Sequence, residues 1–271
     1  MMPLDYAVLR LVRRHLPDRV VRQLLARRIV IRPGLETTDP SAAIQRFLDA
    51  IAADGAAIAG KRVLIFGYGG NFGVGLGLLR AGARHVVLVD PYAEPVRAVN
   101  LALAQGSPYL TVEGSEARPV PEWLTVVDAP LGSYLAAGGA PADLVLSNSV
   151  LEHVGDVPSA VPELARATAP GGRQFHFVDM RDHFFKYPFE MLCHSERAWR
   201  GWLNPGSNLN RLRAWDYERI FRASFPRVTV EPLATDLPAF RAARARIRPE
   251  FLSGDDARDA VTRIFVRASV D

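Results

Sequence analysis

The sequence predicts an α/β protein on a doubly wound, mostly parallel sheet with a helical N-terminal extension, and three observations predict it. From Lys61 onward, short apolar runs alternate with helical segments, the rhythm of strands joined by crossover helices. The first run ends in a glycine-rich turn that leads straight into a helix. A second run ends on an aspartate, Asp90, about twenty residues further on. With 271 residues, nearly half of them apolar, the chain is long enough for one large buried core.

Before Lys61 the reading is helical. Leu9, Val12 and Leu16, then Val20, Val21, Leu24 and Leu25 after Pro17, recur at helical spacing with arginines between them, which predicts two short amphipathic helices. Thr38-Asp39-Pro40 predicts an N-cap with Pro at the first helical position, and Ile44, Phe47, Leu48 and Ile51 form the buried face of a third helix that Gly55 closes. Residues 1–60 therefore read as an extension or cover, and 61–271 as the main domain. Its predicted strands are 62–66, 85–89, 124–127, 142–146 and 173–178, separated by helices near 73–81, 93–104 and 157–169. Gly82, Gly106 and Pro170-Gly171-Gly172 mark the helix ends. The segment 180–213 breaks the rhythm with aromatics, Asn, Pro and Gly, and an insertion there would hang over the carboxyl edge of the sheet as a substrate cover. A helix over 215–224 and strands over 227–230 and 261–268 complete the chain.

Composition narrows the function classes. No stretch reaches the roughly 18 to 20 apolar residues of a membrane span, and no signal-peptide pattern opens the chain, so a cytoplasmic location is expected. The lone Cys193 has no partner for a disulfide or a multi-cysteine zinc site. A net charge of +4 is carried almost wholly by arginine, without the one-sided clustering of a nucleic-acid footprint, and no nucleic acid is expected. The exception is residues 1–32, where eight arginines face two aspartates. Their helices are expected to cover the active site, with peripheral contact to anionic lipid as the alternative.

The chemistry begins at Gly67-Tyr68-Gly69-Gly70-Asn71-Phe72-Gly73. Glycines let the backbone bend sharply and approach a ligand, and the helix that follows adds oriented N–H groups, so a nucleotide-like cofactor is implied. Asp90 is placed to accept hydrogen bonds from ribose hydroxyls. An NAD(P)-dependent oxidoreductase would need Gly-x-Gly-x-x-Gly, but Phe72 stands at the last position and Gly73 comes one residue late. Neither lysine follows a tyrosine at the catalytic Tyr-x-x-x-Lys spacing either.

The fourth strand and its exit, Asp143-Leu144-Val145-Leu146-Ser147-Asn148-Ser149-Val150-Leu151-Glu152-His153-Val154, resemble the corresponding motif of class I S-adenosylmethionine-dependent methyltransferases, the type 11-like group in particular. Asp128 and Pro170-Gly171-Gly172 fall in the same family order. The resemblance covers roughly residues 61–180. It implies a Rossmann-like, seven-stranded sheet with an antiparallel last strand, S-adenosyl-L-methionine as cofactor, and methyl transfer as the activity. It implies further that Gly67 and Gly69 pass under the cofactor's amino-acid part, that Asp90 holds the ribose, that Asp128 and Ala129 flank the adenine, and that Asn148 and Ser149 line the pocket beside the sulfonium. Two positions depart from the family pattern: Ile65 replaces an acidic residue and Asn71 a glycine. The methionine end is then expected to be held around Tyr68 and Asn71.

The acceptor side is less legible. His153, Asp179 and His183 are the candidate catalytic groups, with His183 suited by its near-neutral titration to deprotonate a hydroxyl. Asp182 and Arg211 are the candidate substrate contacts. Asp179, Asp182 and His183 are suitable metal ligands by type, but their spacing matches no metal signature and no metal is assigned. Ser147-Asn148-Ser149-Val150 stands where many amino-nitrogen methyltransferases carry Asn/Asp-Pro-Pro-Tyr/Phe, so O-methylation of a small-molecule or carbohydrate or glycolipid acceptor is expected. A non-catalytic S-adenosylmethionine-binding module is the remaining alternative.

Overall fold

A computed structural model describes residues 3–15 and 40–270. Helix α1 spans Leu4–His15 and α2 Ser41–Ala53. The second helix expected within the extension lies outside the described residues, as do Thr38 and Asp39. Pro40 itself is the N-cap instead of the first helical residue, so the helix opens one position later than expected, at Ser41.

The strands β1 (Arg62–Phe66), β2 (His85–Val89) and β5 (Leu124–Val127) fall where the apolar runs predict them. Helices α3 (Gly73–Arg80) and α4 (Arg97–Ala104) connect the first of these. Between α4 and β5 lies an antiparallel hairpin, β3 (Leu110–Glu113) with β4 (Glu116–Pro119), which the sequence did not announce because its outward positions are charged and its strands only four residues long. Next come α5 (Leu131–Ala136), β6 (Ala142–Asn148), α6 (Val157–Arg166) and β7 (Thr168–Asp179). Pro170-Gly171-Gly172, expected to close a helix, instead lies within β7. Thr168 pairs with Ala142 and the next pair is Arg173 with Leu144, so the glycines form a bulge. A Cβ at Gly172 would lie 2.7 Å from the Ala169 carbonyl oxygen. Helix α7 (Ala214–Arg222), β8 (Arg227–Thr235), α8 (Leu237–Ala243), α9 (Asp256–Asp259) and β9 (Val261–Ser269) end the fold.

The large sheet has seven strands in the order β5-β2-β1-β6-β7-β9-β8, parallel except at β9, which runs antiparallel to both neighbours. Alternation along β1 sends Val63 and Ile65 to the face covered by α2 and α3, through Phe47, Ile51, Leu76 and Leu79. Leu64 turns to the opposite face, where Val161 and Leu164 of α6 and Tyr217 and Phe221 of α7 close the second core. The insertion after β7 is not loose: Phe189, Leu192, Trp199 and Leu209 bury themselves against Phe240 and Ile247 in a small core of their own. Among the described residues no helix is long and apolar enough to cross a membrane.

Candidate cofactor and acceptor site

Strand order reverses at β1, flanked by β2 on one side and β6 on the other, and a crevice opens beyond the carboxyl ends at such a point. The turn from β1 to α3 runs through it. Gly67 is left-handed (φ 79°) and its N–H donates to the Val89 carbonyl at 2.8 Å. A side chain there would sit 2.4 Å from Val150, and one at Gly70 would sit 2.0 Å from the Glu94 carbonyl oxygen. Only glycine threads this gap. Gly69 is also left-handed (φ 64°), yet no atom lies within 4 Å of where its Cβ would be. That open space is the cradle.

Asp90 lies next to it. One carboxylate oxygen accepts from the Gly69 N–H (3.1 Å) and the other from the Tyr92 N–H (2.9 Å). Asn100 of α4, which sequence reasoning missed, is buried beneath the turn. Its Oδ1 accepts from the Phe72 N–H (3.0 Å) and its Nδ2 donates to the Gly70 carbonyl (2.9 Å). The available signal was a lone amide on an otherwise apolar helix face. Tyr68 is buried, stacks on Phe72 at 6.1 Å and donates to Asp128 at 3.4 Å. Burial, followed by the Asp128 charge, raises its pKa. Asp128 is exposed and Ala129 half-buried beside it, before α5. Asn71 is buried, and its Oδ1 accepts from the Gly73 N–H at 2.8 Å, a local turn that leads the chain into α3. An open glycine cradle flanked by two carboxylates fits a ligand that carries an amino-acid part, a ribose and a base.

At the end of β6, Asn148 Oδ1 accepts from Arg46 of α2 at 2.6 Å, and the Arg46 guanidinium lies 5.4 Å over the Phe177 ring. Arg46 is a second residue the sequence did not single out, since it reads as one polar position on an amphipathic helix. Ser149 is a non-glycine residue in left-handed geometry (φ 52°), with its N–H on the Phe177 carbonyl at 2.9 Å. Behind this turn Ser147, His176 and Gln174 form a buried chain with 2.7 Å links. Burial pushes the His176 pKa down to about 3, so the ring is neutral, accepting at Nδ1 from Ser147 and donating at Nε2 to Gln174.

The candidates after β7 separate. Asp179 is held by the Arg181 guanidinium at 2.8 and 2.5 Å, an ion pair rather than an available base. Asp182 is fully buried, accepts from the Tyr6 hydroxyl at 2.5 Å and pairs with Arg10, so it ties α1 to the insertion instead of facing an acceptor. Arg211 is likewise consumed internally, donating to the Met191 and His194 carbonyls (3.2 and 2.5 Å) and pairing with Glu196. Substrate contact through Asp182 or Arg211 is corrected on this ground: both are buried and spent on structural partners. His153 and His183, thirty residues apart in sequence, do come together, edge to face with ring centres 5.0 Å apart.

Comparison with known proteins agrees with this geometry. A profile for a methyltransferase domain matches residues 36–224, and the chain belongs to that family. It is an S-adenosylmethionine-dependent methyltransferase, which decides against the oxidoreductase and the non-catalytic readings. Among solved structures, the geranyl diphosphate C-methyltransferase of Streptomyces coelicolor A3(2) aligns with TM-score 0.51 at 15% identity, over 86% of this chain and 79% of its own. A protein assigned as a sarcosine dimethylglycine methyltransferase from Galdieria sulphuraria aligns with TM-score 0.50 at 14% identity, over 84% of each chain. A protein assigned as a methyltransferase, in complex with the Trm112 activator of Haloferax volcanii, aligns with TM-score 0.45 at 16% identity, over 89% of this chain and 99% of its own. Among curated proteins none matches the sequence.

Proposed function

We propose that the protein moves the methyl group of S-adenosylmethionine onto an oxygen of a small-molecule or carbohydrate-like acceptor, in the cytoplasm. The acceptor enters between the turn after β6 and the segment after β7. When bound, the cofactor supplies an electrophilic methyl carbon on a positively charged sulfur. The chain binds it through the backbone of Gly67 and Gly69, the Asp90 carboxylate and the flank formed by Asp128 and Ala129, and Asn148 and Ser149 wall the acceptor side.

The observation that carries the choice of an oxygen acceptor is the state of Asn148. An amino acceptor needs several nearby acceptor atoms for its N–H groups, and one of the two lone pairs of the Asn148 amide oxygen is already taken by the Arg46 guanidinium. A hydroxyl acceptor asks instead for a group to take or weaken its proton, and His153 after β6 and His183 after β7 pack against each other as candidates. Alignment and water exclusion supply most of the rate enhancement, and the insertion 180–213 with α1 seated on it serves as the cover.

The test is a panel of hydroxyl, amine and carbon acceptors incubated with methyl-labelled cofactor, scored by mass spectrometry for product and by the release of S-adenosylhomocysteine. O-methylated product is expected. Transfer only to nitrogen or carbon overturns the oxygen assignment.

A further inference from the structure

We propose that Glu152, His153 and His183 form a binding site for one divalent transition metal, of the zinc class, at the acceptor end of the crevice. Each side chain offers one ligand atom, and these atoms lie within 4.8 Å of one another. Ligands held about 2.0–2.2 Å from a common ion stand about 3–4.4 Å apart, so small side-chain rotations close the set. Two imidazoles with one carboxylate suit a zinc-class ion and leave coordination positions open, which is the pattern of a reactive rather than a purely structural centre.

The surroundings prepare the ligands. His153 Nδ1 lies 2.7 Å from the Asn208 carbonyl oxygen and 3.0 Å from that of Ser207. A carbonyl only accepts, so Nδ1 carries the proton and the Nε2 lone pair is left for an ion, the outer-shell arrangement that orients metal-binding histidines. That contact is built at some cost: Asn208 is one of two non-glycine residues with positive φ among the described residues (φ 52°). Its side chain donates to the His153 carbonyl (2.8 Å) and accepts from Asn204 (2.7 Å), and Asn210 Nδ2 donates to the carbonyls of Leu151 and Val154 at 2.7 and 3.0 Å. Three asparagines of the insertion thus clamp the turn that carries Glu152 and His153. Glu152 is 2% exposed, an expensive place for a carboxylate, and a cation beside it offsets that cost.

The site stands on this geometry alone. Its use rests on the oxygen-acceptor reading: an acceptor hydroxyl at an open position has its pKa lowered and gives its proton to solvent. The oxygen then forms the O–C bond, the C–S bond breaks, and its electron pair stays on sulfur as a neutral thioether.

The experiment is isothermal titration of the chelator-treated full chain with Zn²⁺, together with Co²⁺ titration followed by its visible d–d bands. One ion per chain is expected, with Kd at or below about 10 µM. His183→Ala and Glu152→Gln are each expected to weaken it by at least about tenfold to a hundredfold. Thermal melting and S-adenosylmethionine titration of the same variants, together with the milder His183→Gln, show that they remain folded. Failure of the wild type to bind either ion at about 100 µM, or equal binding by wild type and variants, overturns the site and leaves the oxygen-acceptor assignment standing. Tight binding without O-methylation retains the site and removes that assignment instead.

Discussion

The turn after β1 and the turns after β6 and β7 lie at the same edge of one sheet but are held by different forces. On the cofactor side every bond has a backbone group at one end or both: Gly67 to Val89, Gly69 and Tyr92 to the Asp90 carboxylate, Gly70 and Phe72 to the Asn100 amide. On the acceptor side the ties join side chain to side chain, and many are buried charges or polar groups: Arg10 with Asp182, Arg211 with Glu196, Ser147 with His176. Arg213 adds a fully buried guanidinium that donates to the Asp259 and Val261 carbonyls (2.8 and 2.7 Å), its pKa lowered to about 10 by burial. Bonds made by backbone and amide groups depend little on protonation, whereas buried titratable groups depend on it strongly. The two sides should therefore respond differently to acid and to substitution.

Acid is expected to have the largest effect. His176 titrates near 6.5 when unfolded and near 3 in the fold. Between those values the unfolded chain binds the proton that the folded chain refuses, so stability is fully present above about 6.5 and falls as pH falls, by about 1.4 kcal/mol per pH unit. Urea unfolding of wild type and His176→Leu at several pH values through this window should show a flatter slope in the variant. Equal slopes would mean that His176 does not govern the acid response.

Next in size is Arg10→Met. It leaves Asp182 charged, buried and short of its cation, a loss of about 3–5 kcal/mol that falls on the contact between α1 and the insertion. Hydrogen exchange should quicken across Leu4–His15 while S-adenosylmethionine affinity holds, and a matching loss of cofactor affinity would join the two sides into one unit.

A pair of glycine variants sharpens the cofactor side. Gly70→Ala adds left-handed strain to a clash with the Glu94 carbonyl and should cost about 3 kcal/mol of stability. Gly69→Ala meets no atom of the chain and should cost only about 1–2 kcal/mol of strain, while lowering cofactor affinity out of proportion because its methyl enters the cradle. The readouts are denaturant unfolding and calorimetric titration, and the same ranking in both would argue against the cradle. Asp90→Ala acts on binding, with cofactor affinity weaker by about 1.5–3 kcal/mol and an unchanged acid-unfolding profile.

Legibility in the sequence divided along the same line. Strands β1, β2 and β5, the glycine turn and Asp90 could be read directly, because apolar alternation, glycine geometry and a strand-end carboxylate all act within about thirty residues. Asn100 and Arg46 escaped notice, because an isolated polar residue on a helix says nothing of what it faces. Asp182 and Arg211 looked like acceptor contacts for the same reason, since residue type does not reveal whether a charge meets solvent or another buried charge.

The order of apolar runs, the left-handed glycines and the aspartate after β2 were decided by local sterics and hydrophobic periodicity, so the fold class, the family and the cofactor edge were present in the chain of letters. Packing alone decided that the arginines and asparagines of the insertion turn inward and that Glu152, His153 and His183 converge. Those outcomes follow from burying the insertion's aromatic residues against α8 and α1. They depend on which distant surfaces meet, and the spacing of residues along the chain does not encode that.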